Sequence, residues 1–196
     1  MIDTSRLTIR PLLQTDLQDI HRILDQTFGD GSKLADQQAL AERQSWVQWS
    51  MLNQQWFPAL HQPPYGERAI VLKSSNRLIG AIGYVPCLAP FEQIPGLGAA
   101  TEPVPYSTPE FGLFWAIDPQ HQRQGYAAEA AQAMIEHAFS ALRLKRIIAT
   151  TEYDNVASQG VMRKLGMRLE RNPFAEPHWL QIVGILENTR SAYPAL

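Results

Sequence analysis

The chain has 196 residues, a length that fits one large domain or two small ones, and we expect a single domain over 1–196. Hydrophobic residues make up 45% of the chain and charged residues 18%, which is typical of a globular protein with a substantial core. The formal net charge of −2 provides no strongly basic surface, so a nucleic-acid partner is disfavoured.

Cysteine and histidine usage limits the chemistry further. The one cysteine, Cys87, excludes a disulfide within the chain and a multi-cysteine zinc site. The five histidines are scattered without ligand spacing, and we expect no metal. The first residues lack the pattern of a secretory signal, and no apolar run approaches the ~20 residues of a membrane helix. We therefore expect a cytoplasmic protein without a membrane partner.

The first elements in chain order are a strand and two helices. Residues 5–11 alternate apolar and polar side chains and predict the strand. The first helix follows with Thr15 as its cap and Gly29 near its end, because apolar residues recur at helical spacing. The second helical stretch, 35–56, carries three tryptophans, which at this spacing are more typical of a core or an interface than of a substrate-binding wall. The three are Trp46, Trp49 and Trp56.

A hairpin and a long proline-rich segment come next. Strands at 68–73 and 78–85 flank a Ser-Ser-Asn-Arg turn, which predicts antiparallel pairing. Residues 86–109 hold six prolines and two glycines and predict a loop. Structureless loops of this length are usually functional, so we expect it to cover a binding cleft or to make a subunit contact. The oligomeric state stays open between monomer and homodimer.

The second half of the chain predicts alternating strands and helices. In order, these are a strand at 110–118, a helix at 125–142, a strand at 144–151, a helix at 156–165 that Gly166 ends, and strands at 166–171 and 179–187. A run of antiparallel strands followed by strand–helix–strand units predicts an α/β or α+β sheet with helices packed on it.

The turn between 118 and 126 has the features of an anion site. Pro119 ends the preceding strand, and Gly125 permits a backbone conformation that other residues avoid. The helix that follows begins with unpaired N–H groups and a partial positive charge. No Gly-Lys-Ser/Thr follows, which excludes a nucleotide-hydrolase phosphate loop, and the three-glycine dinucleotide fingerprint is absent.

Three segments in the same order resemble the GNAT acetyltransferases. The turn Gln122-Arg123-Gln124-Gly125-Tyr126-Ala127 resembles the family's Gln/Arg-x-x-Gly-x-Gly/Ala motif. The segment Asn155-Val156-Ala157-Ser158, followed by Lys164-Leu165-Gly166-Met167, resembles its Asn-x-x-Ser and Lys-Leu-Gly-Phe steps. The opening 5–11 with Asp16 resembles the Thr-x-Arg-Leu-x-Leu-Arg start of the RimJ/RimL-like branch, whose typical members acetylate the N-termini of ribosomal proteins.

This resemblance implies a fold, a reaction and a cofactor. The fold is a mixed, mostly antiparallel sheet of about seven strands flanked by about four helices. The reaction is direct transfer of an acetyl group from acetyl-CoA to a primary amine, either a protein or peptide N-terminus or a small amine. Residues implied to bind coenzyme A are Trp115 and Ile117 on the strand, Gln122, Arg123, Gln124, Gly125, Tyr126, Ala127 and Ala128 in the turn, and Asn155.

Two residues are implied to be catalytic. Glu110, at the start of a strand, would act as the base, and Ser158 would lie near the departing sulfur. Each has a simpler alternative: Glu110 as a solvated carboxylate at a strand edge, and Ser158 as a partner of backbone groups in a helical turn. Asn155 could equally cap that helix. Tyr153 and Tyr126 are weaker candidates for the proton donor.

Two other functions remain open at this stage. The first is a non-catalytic acyl-CoA sensor or regulatory module on the same fold, which would keep the turn but need no base. The second is a phosphate-binding domain unrelated to the family. The apolar residues of 86–109, namely Phe91, Ile94 and Leu97, suggest an acceptor that is not highly cationic. The sequence identifies neither that acceptor nor the length of the acyl group that is transferred.

Overall fold

The computed structural model describes residues 1–29, 31–98 and 101–189. Within these ranges the chain forms eight strands and four α-helices. The strands are β1 Ile2–Asp3, β2 Leu7–Pro11, β3 Gly66–Leu72, β4 Arg77–Ala89, β5 Thr108–Ile117, β6 Arg146–Thr151, β7 Arg168–Arg171 and β8 Ile182–Glu187. The helices are α1 Leu17–Phe28, α2 Gln37–Trp56, α3 Tyr126–Ser140 and α4 Val156–Lys164.

All eight strands belong to one mixed sheet in the order β1-β2-β3-β4-β5-β6-β8-β7. Antiparallel pairing joins β1 to β2, β2 to β3, β3 to β4, β6 to β8 and β7 to β8. The pairing of β5 with β6 is parallel, and its register places Gly112 opposite Ile148. The predicted fold class, a mostly antiparallel mixed sheet with about four helices, is confirmed.

The chain divides into two compact units, each with its own core. The first unit comprises 1–84 and 114–134, and its core packs α1 and α2 on β3 and β4. The second comprises 85–113 and the chain from 135 onward. Its core is built from residues of the 86–98 segment, β6 and β8.

Helix α1 begins later than the sequence predicted. Thr15 is exposed, whereas the carboxylate of Asp16 is buried and accepts a hydrogen bond from the Leu13 N–H at 2.8 Å. The same carboxylate binds both terminal nitrogens of Arg10, at 2.7 and 2.9 Å. The predicted Thr15 cap is therefore wrong: a charged carboxylate that satisfies an amide and a guanidinium fixes the start of the helix more strongly than a hydroxyl.

Helix α2 buries polar side chains and exposes apolar ones. Ser50 and Asn53 are buried with Val47. Trp49 is 48% exposed and Trp56 64% exposed, so neither belongs to the core. Of the three tryptophans for which a core or interface position was predicted, only Trp46 packs against the core of the first unit.

The 86–109 segment is less loop-like than predicted. Strand β4 continues through Pro86 to Ala89, and β5 begins at Thr108. Phe91 and Ile94 are fully buried in the core of the second unit, so they do not line a cleft as expected. The segment therefore carries its own core residues, in and directly after a short helical turn at Phe91–Gln93.

The remaining elements are close to their predicted positions. Helix α3 ends at Ser140, two residues early, and Gly166, with φ of 75°, follows α4 as expected. A short helical turn at His178–Leu180 replaces the first residues of the last predicted strand. No helix within the described residues combines the length and apolar character that a membrane crossing requires.

Candidate active site

The turn after β5 is fixed at its start by a buried aspartate. Asp118 is fully buried, and its carboxylate accepts from the Gln120 N–H at 3.0 Å and from the Arg22 guanidinium at 2.7 Å. Burial alone would raise the pKa of Asp118, but these hydrogen bonds hold it below its ordinary value. A short helical turn, Pro119–His121, follows. The chain therefore enters the turn in one defined direction.

Six consecutive backbone amides in this turn, from Arg123 to Ala128, donate to no acceptor within the described residues. The next amide, that of Glu129, makes the first bond of α3, to the Gly125 carbonyl at 3.0 Å. All six residues are exposed or half-buried. Unpaired amides at a helix N-terminus are the elements of an anion-binding site.

Two residues of the turn adopt left-handed backbone conformations. Gly125 has φ of 85°, which confirms the predicted reason for a glycine there. Arg123 has φ of 60°, which the sequence did not predict. Left-handed residues are also a feature of the backbone concavities that bind anions in other proteins.

The glutamine side chains of the turn have structural roles. The Gln122 amide donates to the Ile117 carbonyl at 3.0 Å, and the Gln124 amide donates to the Gln120 carbonyl at 3.4 Å. Both side chains therefore brace the turn against the end of β5. These bonds engage the two side-chain amides within the protein and leave the backbone N–H groups of the turn as the candidate donors to a ligand.

Sequence reasoning missed a group of side chains that hold the first turn of α3, here called the Glu129 cluster: Thr4, Ser5, Arg6 and Glu129. The Thr4 hydroxyl, the Ser5 hydroxyl and the Arg6 N–H donate to one oxygen of Glu129 at 2.6, 3.0 and 2.9 Å. The Arg6 Nε donates to the other oxygen at 2.6 Å. Burial alone would raise the pKa of Glu129, but these hydrogen bonds lower it to about 2.

Arg6 also contacts the turn directly. Its guanidinium donates to the Gln124 carbonyl at 3.1 Å and lies over the Tyr126 ring, 4.4 Å from the ring centre. The Arg6 guanidinium, with its charge paired to Glu129, therefore lies beside these amides. The sequence signal for this contact was an acidic residue in the first turn of a helix, which alone does not name its partner.

The end of β5 presents the two amides that the resemblance singled out. The Asp118 N–H donates to the Ile79 carbonyl of β4 at 2.8 Å. The N–H groups of successive residues in a strand point in opposite directions, so the Ile117 N–H points away from β4. Trp115 lies two residues earlier, so its N–H points the same way.

The second unit holds the predicted base in an ion pair. The Glu110 side chain is 6% exposed and accepts from the Arg146 Nε at 2.8 Å and from the terminal Arg146 Nη2. These bonds raise the pKa of Arg146. Glu110 is therefore not the solvated carboxylate of the simpler alternative.

A cavity of about 560 Å³ opens beside this ion pair. Its lining is mostly apolar: Pro86, Cys87, Leu88, Pro109 and Phe111, with Lys145 and the Glu110–Arg146 pair. Burial, with a smaller effect from the Glu110 charge, raises the pKa of Cys87 to about 11. The Cys87 thiol is therefore protonated near neutral pH and is a poor nucleophile.

Helix α4 places the remaining candidates. The Asn155 side chain accepts from the Ser158 N–H at 3.0 Å, so Asn155 caps the helix. The half-buried Ser158 hydroxyl has no hydrogen-bond partner among the residues that the structure describes. The Tyr153 hydroxyl donates to the Asn172 carbonyl at 2.6 Å, which leaves its proton engaged.

The structure thus groups the predicted residues in two sets. Trp115, Ile117 and the turn from Gln122 to Ala128 lie in the first unit. Glu110, Asn155 and Ser158 lie in the second.

Comparison with known proteins identifies the family. The model of the acetyltransferase (GNAT) domain matches residues 6–168, which include the Glu129 cluster from Arg6 onward, the turn and α4. The chain belongs to the GNAT acetyltransferase family. The match covers both compact units, so neither unit alone corresponds to the family's domain.

Three relatives among curated proteins are also named N-acetyltransferases. The uncharacterized N-acetyltransferase YnaD of Bacillus subtilis is 50% identical over 60 residues, which cover 31% of this chain and 35% of YnaD. YjdG of the same organism is 35% identical over 92 residues, 47% of this chain and 54% of YjdG. YoaA is 27% identical over 171 residues, 87% of this chain and 84% of YoaA. The chain therefore spans about a third and about half of the first two relatives.

Solved structures share the fold over nearly the whole chain. A GNAT acetyltransferase from Bacillus anthracis has a TM-score of 0.64 at 21% identity, covering 95% of this chain and 98% of that one. RimL, a ribosomal L7/L12 alpha-N-protein acetyltransferase in complex with coenzyme A, has a TM-score of 0.60 at 16% identity, covering 93% of each chain. At these identities the likeness concerns the fold alone.

Proposed function

We propose that this protein is an N-acetyltransferase that transfers the acetyl group of acetyl-CoA directly to a primary amine, through a ternary complex. The observation that carries the proposal is the row of six amides from Arg123 to Ala128, which have no acceptor in the part of the chain that the structure describes, with the Arg6 guanidinium beside it. Membership of the GNAT family supports it. A diphosphate matches the amide donors of this turn, and Arg6 holds the turn while its charge is paired with Glu129.

The cofactor contacts follow from this assignment. The amides between Gln122 and Ala128 bind the diphosphate, and Trp115 and Ile117 present backbone amides to the pantetheine arm and the thioester carbonyl. Such a donor stabilises the oxyanion of the tetrahedral intermediate, a contribution of about a hundredfold or more in rate. Asn155 contacts the cofactor in addition to capping α4. Among the structural neighbours, RimL was solved in complex with coenzyme A, and the microcin C7 self-immunity acetyltransferase MccE was solved in complex with acetyl-CoA and AMP.

Glu110 is the proposed base, under a condition that the sequence did not reveal. Its carboxylate is paired with Arg146, and it acts on the acceptor amine directly or through a water molecule. The amine attacks the thioester only in its neutral form. An α-amine has a pKa near 8 and a lysine amine near 10.4, so about one α-amine in ten is neutral at pH 7, against one lysine amine in a few thousand. An α-amine acceptor therefore needs the base less than a lysine amine does.

Ser158 is the proposed donor to the departing thiolate. Its hydroxyl is half-buried and has no partner within the described chain, whereas Tyr153 is engaged by the Asn172 carbonyl. A free hydroxyl at the first turn of α4 can rotate toward an anion. Replacing Ser158 by alanine should lower kcat at saturating substrate.

We place the protein in the RimJ/RimL-like branch, acting as one functional domain over 1–196. The opening segment supports this: in that segment Arg6 and Asp16 both have defined structural partners, Glu129 and Arg10. The amine acceptor is then a protein or peptide N-terminus or a small amine. No homodimer contact is required by the residues assigned above, so a monomer and a homodimer fit equally.

The test is an acceptor screen with acetyl-CoA. Amino-terminal peptides and small amines are incubated with the protein, the release of free thiol is followed, and the acetylated product is identified by mass spectrometry. The proposal predicts thiol release that depends on an added amine and on Ser158. Binding of coenzyme A without release against any amine would favour the acyl-CoA sensor, and absence of both would contradict the proposal.

A further inference from the structure

A second cavity lies in the first unit, between α1 and α2, and has no role in the proposed reaction. Its volume is about 220 Å³. The side chains that matter here are His21 and Asp25 of α1, Arg43 and Trp46 of α2, and Lys33 and Glu42 at its rim. At about 30 Å³ per water molecule, this space corresponds to about seven waters, too little for a drug-sized ligand but enough for a small metabolite.

Three buried polar atoms at this cavity have no hydrogen-bond partner in the described chain: the His21 Nδ1, the Asp25 Oδ2 and the Arg43 Nε. His21 is 4% exposed and Asp25 8% exposed. More than nine in ten buried polar groups in proteins are paired, so three orphans around one cavity require an explanation. His21 and Asp25 lie on α1, and Arg43 lies on α2, whose buried residues include the polar Ser50 and Asn53.

The His21 tautomer defines what the cavity offers. The His21 Nε2 lies 3.2 Å from the Lys33 carbonyl, which can only accept a hydrogen bond. The Nε2 therefore carries the proton, and the Nδ1 of the neutral ring is an acceptor. The cavity thus presents two acceptors, His21 Nδ1 and Asp25 Oδ2, and one donor, the Arg43 Nε–H.

The charges at the cavity are mixed. Arg43 forms no ion pair with a carboxylate of the described chain, although Asp25, Glu67 and Glu42 act on it at longer range. A simple cation would meet the positive charges of Arg43 and Lys33. A simple anion would meet Asp25 and Glu42. A small ligand that carries both signs satisfies all three orphan atoms.

We propose that this cavity binds a free α-amino acid. The ammonium donates to Asp25 and His21, the carboxylate accepts from the Arg43 Nε–H, and the side chain lies against Trp46. The Arg43 guanidinium already lies 5.2 Å from the Trp46 ring centre, which restrains it for such a contact. The proposal does not depend on acetyl transfer, because none of these residues belongs to the proposed active site.

The test is calorimetric titration of the wild-type protein with a panel of amino acids, up to about 10 mM. Each amino acid is compared with its amide, which lacks the carboxylate, and with its deaminated acid, which lacks the ammonium. At least one free amino acid should bind saturably, and both matched analogues should bind at least about tenfold more weakly. An amide or a peptide that binds more tightly than the free amino acid would overturn the assignment of the carboxylate to Arg43, and with it the proposal.

Variants locate the binding. Asp25→Asn and Arg43→Gln should each weaken it by about tenfold or more, and the matched control Asp19→Asn, on the exposed side of α1, should leave it unchanged. Circular dichroism checks that the variants are folded, and if one is not, the comparison of analogues on the wild type decides. If no amino acid binds, the cavity holds only water and the proposal is overturned. Binding that both variants retain would also overturn it.

Discussion

At the scale of single residues, Glu129 has the best-defined environment near the turn. It accepts from Thr4, Ser5 and Arg6, and the Arg6 guanidinium continues to the Gln124 carbonyl. These contacts join the N-terminal strands to the first turn of α3 and hold the unpaired amides in place. Preorganised donors bind an anion more tightly than donors that must first be ordered.

Replacing Glu129 by glutamine should therefore weaken coenzyme A binding. The amide cannot accept from both the Arg6 guanidinium and the hydroxyls as a carboxylate does, so the turn loosens, and we expect the Kd to rise by about three- to tenfold. Calorimetric titration measures this change. The exposed Glu176→Gln is the matched control, and an equal Kd in both variants would show that the Glu129 cluster does not support the cofactor site.

The same residue predicts a pH dependence of stability. The pKa of Glu129 is about 2 in the folded protein against an ordinary 4.5, so its ionised form stabilises the fold above about pH 4.5. That contribution decreases as the pH falls from 4.5 toward 2. Urea unfolding across this range should show a smaller loss of free energy in Glu129→Gln than in the wild type. Equal pH dependence in the two proteins would contradict the assigned environment.

Glu110→Gln tests the proposed base. We expect kcat/KM to fall by about 10- to 100-fold, and the pH–rate profile to follow the neutral fraction of the acceptor amine alone. Glu187→Gln is the control, because Glu187 also lies 3.8 Å from Arg146 but is half exposed. An unchanged profile in Glu110→Gln, with lower stability, would assign Glu110 a structural role only.

Local conformation could be predicted from residue types here, and long-range pairing could not. Gly125 was predictable because its φ of 85° strains any other residue, whereas nothing in the sequence marks Arg123 for its φ of 60°. The Glu110–Arg146 pair joins residues 36 apart in the chain, and the Arg6–Glu129 pair joins residues 123 apart. Only the fold brings such charges together.

At the scale of elements, the strand–turn–helix unit around Gly125 was predictable and α2 only in part. Spacing gave the extent of α2 to within two residues, Gln37–Trp56 against 35–56. Its orientation was not predictable, because its tryptophans lie around the helix while Ser50 and Asn53 face inward. The Ser50 hydroxyl donates to the buried Glu67 at 3.1 Å, a polar contact that hydrophobic periodicity does not reveal.

Gly125→Ala tests the turn as an element. The space for a methyl group is open, since the nearest atom, the Arg6 Nη2, would lie 3.5 Å away, so the cost is backbone strain of about 1–2 kcal/mol. We expect lower stability in urea unfolding and weaker coenzyme A binding. Gly160→Ala, in α4 with open space around it, is the control and should raise stability by about 0.5–1 kcal/mol. Equal effects of the two changes would contradict the assigned turn geometry.

At the scale of the whole molecule, the order of motifs predicted the family and the sheet. The segment 86–109 was not predicted well, because prolines at 86 and 90 suggested a loop where β4 continues to Ala89. Proline is tolerated there because a strand can accommodate a residue without an N–H at positions where no ladder bond is needed. The acceptor stays a proposal because the parts of the chain that would contact it resemble the family least.

Cofactor binding in the proposed function depends on the amides from Arg123 to Ala128. Calorimetric titration with coenzyme A and with pantetheine, which lacks the diphosphate, tests them directly. Two charge-assisted hydrogen bonds of about 1.5 kcal/mol each would make coenzyme A bind about a hundredfold more tightly. We predict at least that ratio. Equal affinities, or no detectable binding of coenzyme A, would contradict the assignment of the turn to the diphosphate.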